Sequence, residues 1–368
     1  MKYLTRTFVL TLLAIMLASA GSDRQKPHNL IVFIGDGMGV SHVYAAMTVS
    51  GNEMTFPRFP VTGFSITHSA NSYSTDSAAG GTAIATGEKT NNRFISMRPD
   101  STVLVTLMEY ARQRGKSTGV ISTSSLTDAT PASFVSHVPL RYMYREIAAQ
   151  YANGAADLFA GGGRNFFEAE LDSAGNRVES TDVVTALKAG GYDVVYTLEE
   201  FEASDAGRIA GLMSDNDMPR LFEGRDPGYL SRATAKAIEV LSRNPGGFVL
   251  MVEGSEIDDA GHSASTSMVT EEILDMDRAV KVAFDFARDN GRTLVVVTAD
   301  HETGGMSITG GDVSRREVSA HFSIKGHSGV MVPVFAYGPG AMAFSGVQDN
   351  TELFSDFMRI LFPGKRER

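Results

Sequence analysis

Short, almost unbroken apolar runs recur along the chain and are separated by stretches whose apolar residues return every three or four positions. Asn29 to Ile34 (NLIVFI), Gly119 to Ser122 (GVIS), Asp193 to Thr197 (DVVYT), Phe248 to Val252 (FVLMV), Thr293 to Val297 (TLVVV) and Val332 to Tyr337 (VPVFAY) are strand-length runs. Several lack the apolar–polar alternation of a half-exposed strand, which implies burial on both faces. Between them, Ser231 to Arg243 places Ala233, Ala237, Ile238 and Leu241 on one helical face. Val269 to Arg288 does the same with Val269, Ile273, Met276, Val280, Ala283, Phe284 and Ala287. Strands alternating with helices predict an α/β fold, a large and mostly parallel central sheet flanked by helices on both faces. No Pro- or Ser-rich linker divides the chain; Gly161-Gly162-Gly163 and Gly304-Gly305 act as turn punctuation instead.

Ahead of this pattern, Lys2 and Arg6 precede an apolar run, Phe8 to Leu17, followed by Ala18-Ser19-Ala20. That run is far shorter than the ~20 residues needed to span a bilayer, and the small-x-small triplet has the form of a cleavage site. Residues 1–20 are expected to be a signal peptide and residues 21–368 a single domain. Periplasmic or secreted localisation follows, with no stable membrane anchor.

Composition narrows the chemistry. The chain has no cysteine, which removes disulfide frameworks, thiolate metal sites and thiol nucleophiles. Any metal must be held by oxygen and imidazole ligands, the latter from 8 histidines. With 43 acidic residues against 33 basic, a net charge of −10, binding of a nucleic-acid polymer is not expected. A 43% hydrophobic fraction excludes an intrinsically disordered chain.

Three of the predicted strands end alike: NLIVFI runs into Gly35-Asp36-Gly37, FVLMV into Glu253-Gly254, and TLVVVTA into Asp300-His301. One acid after a strand is ordinarily a turn or cap residue. Three of them following three central-looking strands would converge on one rim, where ligands of such sheets bind and where like charges repel. A cation resolves that conflict. Histidines point the same way: His301 follows Asp300, Asp258 and His262 follow Glu253, and His327 sits in the Gly-flanked loop KGHSG. Mixed His–carboxylate ligation favours Zn²⁺ or a similar ion, and an all-oxygen subset favours Mg²⁺. His28, His42, His68 and His321 read as surface or packing residues, and His137 as a core or supporting one. Finally, Thr75-Asp76-Ser77-Ala78-Ala79-Gly80-Gly81 opens a small-residue helix with Ser77 at its start, where backbone N–H groups favour an anion. Asp76 or Ser77 could serve as a plain cap, yet the Ala/Gly run allows a closer backbone approach than a cap requires. No G-x-S-x-G elbow surrounds Ser77, so metal activation suits it better than a base.

Taken in order, Gly35-Asp36-Gly37-Met38-Gly39, Thr75-Asp76-Ser77-Ala78-Ala79, Asp128-Ala129-Thr130-Pro131, Glu253 to His262, Thr298 to Gly305 and the late His327 resemble the bacterial alkaline phosphatases over nearly the whole mature length. The resemblance implies that family's fold with a small crown insertion, and a phosphomonoesterase with two Zn²⁺ and one Mg²⁺. It implies small phosphomonoester substrates of broad range, released inorganic phosphate, and a phosphoserine intermediate on Ser77. Asp258, His262 and His327 match the ligands of one zinc. Asp36, Asp300 and His301 match those of the other. Asp36, Glu253 and Thr130 match the magnesium ligands, with Asp128 close to that ion through water, and Arg141 matches the arginine that grips phosphate.

Two departures stand out. Asp259 occupies a position where family members carry Lys or His in contact with phosphate through water, which implies looser product retention. The segment between His301 and His327 is short where relatives carry an insertion that forms part of a dimer interface, so a homodimer by that route is not expected. Outside the monoesterase reading, related diesterases commonly use Thr as nucleophile, sulfatases need a C/S-x-P-x-R setting that Ser77-Ala78-Ala79 lacks, and a non-catalytic metal-binding protein would not need Ser77 and Arg141. Residues 168–181 and 199–228 read as surface elaboration.

Overall fold

The computed structural model describes residues 27–171, 177–178 and 182–363; the expected signal peptide, residues 1–20, lies outside them. Ten strands form the central sheet. They are β1 (Asn29–Gly35), β2 (Val61–Ile66), β3 (Ser117–Ser125), β4 (Leu158–Gly162), β5 (Asp193–Val195), β6 (Ile209–Leu212), β7 (Phe248–Gly254), β8 (Thr293–Thr298), β9 (Val332–Tyr337) and β10 (Gly346–Asp349). Their spatial order is β10-β2-β9-β8-β1-β7-β3-β4-β6-β5. Only β9 opposes the rest, pairing antiparallel with both β8 and β2; every other ladder in the sheet is parallel.

The apolar runs behave as buried strands should. All seven residues of β1 are buried, with Leu30, Val32 and Ile34 packed into the core on one face and Ile31 and Phe33 into the core on the other. That alternation is the period-two geometry of a strand covered on both sides. Helices Ser77–Thr86, Ala129–Val135, Tyr144–Ala152 and Asn350–Leu361 cover the first face. Helices Val40–Val49, Tyr229–Leu241, Glu256–His262 and Thr266–Asn290 cover the second. Among the described residues, no helix is long and apolar enough to cross a membrane.

Two expectations need correction. Predicted strand Asp193–Thr197 stops at Val195, because Thr197 turns to cap the next helix by accepting the Glu200 N–H. Residues 199–228 are not surface elaboration. They contain β6, buried throughout, and Arg225, which is buried against the long helix Thr266–Asn290. The 168–181 stretch includes a short ladder, Glu170–Leu171 with Arg177–Val178, and otherwise falls largely outside the described residues.

Sheet order places the site. β8, β1 and β7 are consecutive neighbours, in a register that pairs Ile34 with Thr298 on one side and with Glu253 on the other. Their carboxyl ends therefore carry Asp36, Glu253 and Asp300 onto one rim.

Candidate metal centre

All three strand-end acids are buried: Asp36, Glu253 and Asp300 are 3%, 0% and 0% exposed. Asp36 opens the turn after β1, which Gly37 makes possible. Gly37 has φ +74, and a Cβ there would fall 2.8 Å from both the Asp258 backbone and Thr303 Oγ1. Its N–H donates to Asp300 Oδ1 at 3.3 Å and its carbonyl accepts from Thr303, which ties the β1 and β8 ends together. Glu253 accepts hydrogen bonds from Ser122 and Ser124 at the end of β3, the latter at 3.1 Å. Thr130 Oγ1 reaches Asp36 Oδ2 at 3.3 Å.

Ser77 is the first residue of helix Ser77–Thr86, whose cap Asp76 accepts the Ala79 N–H at 3.0 Å. Its Oγ lies 3.2 Å from His301 Nε2. The small residues behind it bring this helix against the β8 end: a Cβ on Gly80 would stand 3.0 Å from the Asp300 carbonyl oxygen. The predicted close approach is thus a backbone contact with the strand that supplies Asp300.

The second group is built on the one-turn spacing of Asp258 and His262 in helix Glu256–His262, with His262 Nε2 3.1 Å from Asp258 Oδ2. His327 Nε2 lies 3.6 Å from Asp258 Oδ1. Each imidazole is oriented by its other nitrogen, His262 Nδ1 at 2.5 Å from the Lys325 carbonyl and His327 Nδ1 at 2.8 Å from that of Thr75. Such backing fixes the nitrogen left for a metal. Asp258, His262 and His327 present donor atoms within 4.8 Å of one another, as do Asp36, Asp258 and His301. His301 Nε2 is 3.3 Å from Asp36 Oδ1 and 3.3 Å from Asp300 Oδ2, so the predicted Asp36–Asp300–His301 group converges and Asp258 stands between the two groups. Asp128 is held instead by Arg141, 3.0 Å from Nη2.

The electrostatics are those of a site made for cations. Burial, then the charges of Asp300, Asp258, Glu253 and Asp128, push the Asp36 carboxyl well above the usual range. Burial lifts Glu253 to about 8 and Asp300 to about 7. Burial and the neighbouring His327 hold His301 well below its ordinary value, in the neutral form that binds metal. Asp36 Oδ1, Glu253 Oε1 and Asp300 Oδ2 make no hydrogen bond among the described residues. Buried charged oxygens without hydrogen bonds are costly, and divalent cations fit this oxygen and imidazole donor set.

Arg141 points its guanidinium between Asp128 and, at 3.5 Å, Asp76. Burial opposes its charge, but those two acids raise its pKa further. Asp36, Ser77, Asp128, Arg141, Asp258 and His262 line one open cavity of about 470 Å³.

Asp76, one of the two candidate caps, caps the helix and also steadies Arg141. Three contributors have no place in the sequence reading. Ser122 and Ser124 carry a usable signal as polar interruptions at the end of an apolar strand. Arg220, 3.6 Å from Asp259, is far away in sequence and left no local trace.

A buried oxygen–imidazole cation centre beside a serine at a helix start, on the rim of a mostly parallel sheet, defines a class of metal-dependent α/β enzyme. The alkaline phosphatase family model matches residues 27–323, ending just before His327. Alkaline phosphatase 4 of Bacillus subtilis is 30% identical, over 93% of this chain and 90% of its own length. The Escherichia coli K12 alkaline phosphatase is 32% identical, over 89% and 84%. The solved alkaline phosphatase from the Antarctic bacterium TAB5 superposes with a TM-score of 0.84 at 36% identity, over 93% of this chain and 99% of that one. The chain belongs to the alkaline phosphatase family.

Proposed function

We propose that this protein is a phosphate monoester hydrolase that works through a phosphoserine on Ser77, with two Zn²⁺ and one Mg²⁺ as resident ions. The observation that carries the reading is the set of three buried rim carboxylates, each with an oxygen that makes no hydrogen bond, beside a serine whose Oγ lies 3.2 Å from His301 Nε2. Asp258, His262 and His327 would hold one zinc, and Asp36, Asp300 and His301 the other. Asp36, Thr130 and Glu253 would hold magnesium, with Asp128 nearby. When bound, such ions offset the anionic charge of the site, lower the serine pKa, neutralise the departing alkoxide and activate water.

The chain's own residues account for positioning. Ser77 Oγ gives up its proton to solvent and attacks phosphorus; a P–O bond to serine forms, the ester P–O bond breaks, and the departing alkoxide takes a proton from solvent and leaves as the alcohol. Water then cleaves the phosphoserine and releases inorganic phosphate. Arg141 offers two N–H groups to phosphate oxygens, and its contacts with Asp128 and Asp76 hold the fork in the cavity before substrate arrives. The helix start at Ser77 turns backbone N–H groups toward the same anion. A cavity of this size takes small esters, and the net charge of −10 opposes nucleic-acid polymers.

Ser77→Ala tests the reading. The variant should lose about a thousandfold or more of nitrophenyl phosphate turnover while retaining its metal content; full turnover would overturn the nucleophile assignment. Preference for the bis-nitrophenyl ester over the monoester would favour a diesterase. Export is part of the proposal, and an N-terminus at Gly21 in the secreted protein is its signature.

A further inference from the structure

The cavity that holds Ser77 and Arg141 is not polar all round. Tyr144 and Phe166 also line it, with ring centroids 4.7 Å apart and planes inclined by 34°. Both rings are half-buried, although the rest of the wall consists mainly of acids, Ser and Asn. The placement follows from two helices. In Tyr144–Ala152, Ile147, Ala148 and Tyr151 form the buried face, and Tyr144 extends the same stripe outward by one turn. In Arg164–Phe167, Phe167 enters the core beside Phe159 and Tyr151, which leaves Phe166 at the cavity. Arg145 locks the two elements together by donating to the carbonyls of Glu168, at 2.9 Å, and Asn165, at 3.1 Å. Tyr142 stands edge-on to Tyr144 at 6.3 Å and is 54% exposed.

We infer that Tyr144 and Phe166 form a subsite for a planar aromatic group on the alcohol side of the substrate. The inference rests on the phosphatase reading, since Arg141, one turn of chain before Tyr144, sets where the phosphoryl group sits. Aromatic side chains fixed at the edge of a charged site give apolar contact and ring-to-ring attraction without a large ordering cost. Phosphoryl recognition alone requires no apolar wall. The ligand class is therefore aryl or arylmethyl phosphomonoesters, preferred over short alkyl ones.

Competitive, non-hydrolysable phosphonates test this without the confounding reactivity of different leaving groups. In the metal-loaded enzyme, benzylphosphonate should inhibit about three- to tenfold more tightly than methylphosphonate. The ratio of the two Ki values is the readout, so a general change in phosphate affinity cancels. Tyr144→Ala should bring the ratio to within about twofold of unity. Tyr144→Phe should preserve it, and Tyr144→Leu, which keeps bulk but no ring, should not. A wild-type ratio near one, or a preference that survives Tyr144→Ala, would overturn the subsite while leaving the phosphatase reading intact. If neither phosphonate competes and no monoester is turned over, both readings fall.

Discussion

Two clusters of buried carboxylates among the described residues are solved in opposite ways. On helix Thr266–Asn290, Glu272 and Asp275 are 6% and 1% exposed, and every one of their oxygens is answered. Arg225 donates to both, the Leu221 N–H donates to Glu272 Oε1, and Arg278 reaches Asp275 Oδ1 at 2.7 Å. At the sheet rim, Asp36, Glu253 and Asp300 are as deeply buried, yet each keeps an unanswered oxygen. The first cluster contains its own cation and is structural. The second has no arginine or lysine of its own at those oxygens, so folding leaves them to be neutralised by protons or by a bound cation. Buried acids alone therefore do not distinguish a site from a scaffold; the state of their last oxygen does.

Converting one rim acid should break the contrast most strongly. Asp300→Asn keeps the shape and can still accept from the Gly37 and His301 N–H groups, while it removes a charge. Hydrolysis should fall by more than about 100-fold with loss of bound zinc, since even outer partners of a metal cost 10–100-fold. The metal-stripped variant should unfold at higher urea than the stripped wild type at pH 8, because a repulsive buried charge is gone. Lower stability of the stripped variant would show that the rim is not strained without ions. The matching change in the other cluster, Arg225→Met, should do the reverse: about 3–5 kcal/mol of stability lost, read by urea denaturation, with zinc content retained.

How much of this was open to sequence reading depended on distance along the chain. The rim acids were legible because each directly follows its apolar strand, and parallel pairing of buried strands brings their ends together. His327 was legible only through its glycine-flanked loop and the resemblance. The Arg225 cluster was not, because Arg225 and Glu272 lie on separate elements and nothing local marks a buried arginine. β4 and β6, LFAGG and IAGL, were missed because glycine and alanine dilute the apolar signal. The consequence was that residues 199–228 looked peripheral, although they supply a sheet strand and Arg220 beside the cavity.

A pH titration of the metal-stripped protein sharpens the same comparison. Glu253 and Asp300 rise from ordinary values of 4.5 and 3.8 to about 8 and about 7 in the folded chain. The folded state therefore holds protons that the unfolded state releases, so their contribution to stability is full below about pH 4 and is lost as pH rises toward 8. Stripped protein should lose stability over that window, by on the order of several kcal/mol. Reloaded with zinc and magnesium, it should show a much flatter profile, because the ions favour the charged carboxylates. Denaturation midpoints at pH 6 and pH 8, with and without metal, decide it; equal slopes would mean that the ions do not sit among these acids.

The smallest expected effect lies at the cavity mouth, where an acid and a cation stand in solvent. Asp259 has a side chain 53% exposed and sits 3.6 Å from Arg220 Nη1. It adds negative charge to the wall that faces departing phosphate and engages an arginine that could otherwise attract it. Asp259→Lys reverses that charge and leaves Arg220 paired with Glu223 and Glu256 only, so inhibition by inorganic phosphate should tighten. Exposed pairs interact by only about 0.2–1 kcal/mol, which limits the gain to a few-fold in Ki. Slower product release would lower kcat in step. Because the charges are solvated, the gain should shrink in high salt, where the screening length falls to about 3 Å at 1 M. Unchanged phosphate inhibition in Asp259→Lys would show that position 259 does not set product retention. A gain that persisted in high salt would place the new lysine in direct contact with phosphate, inside the range of the rim rather than outside it.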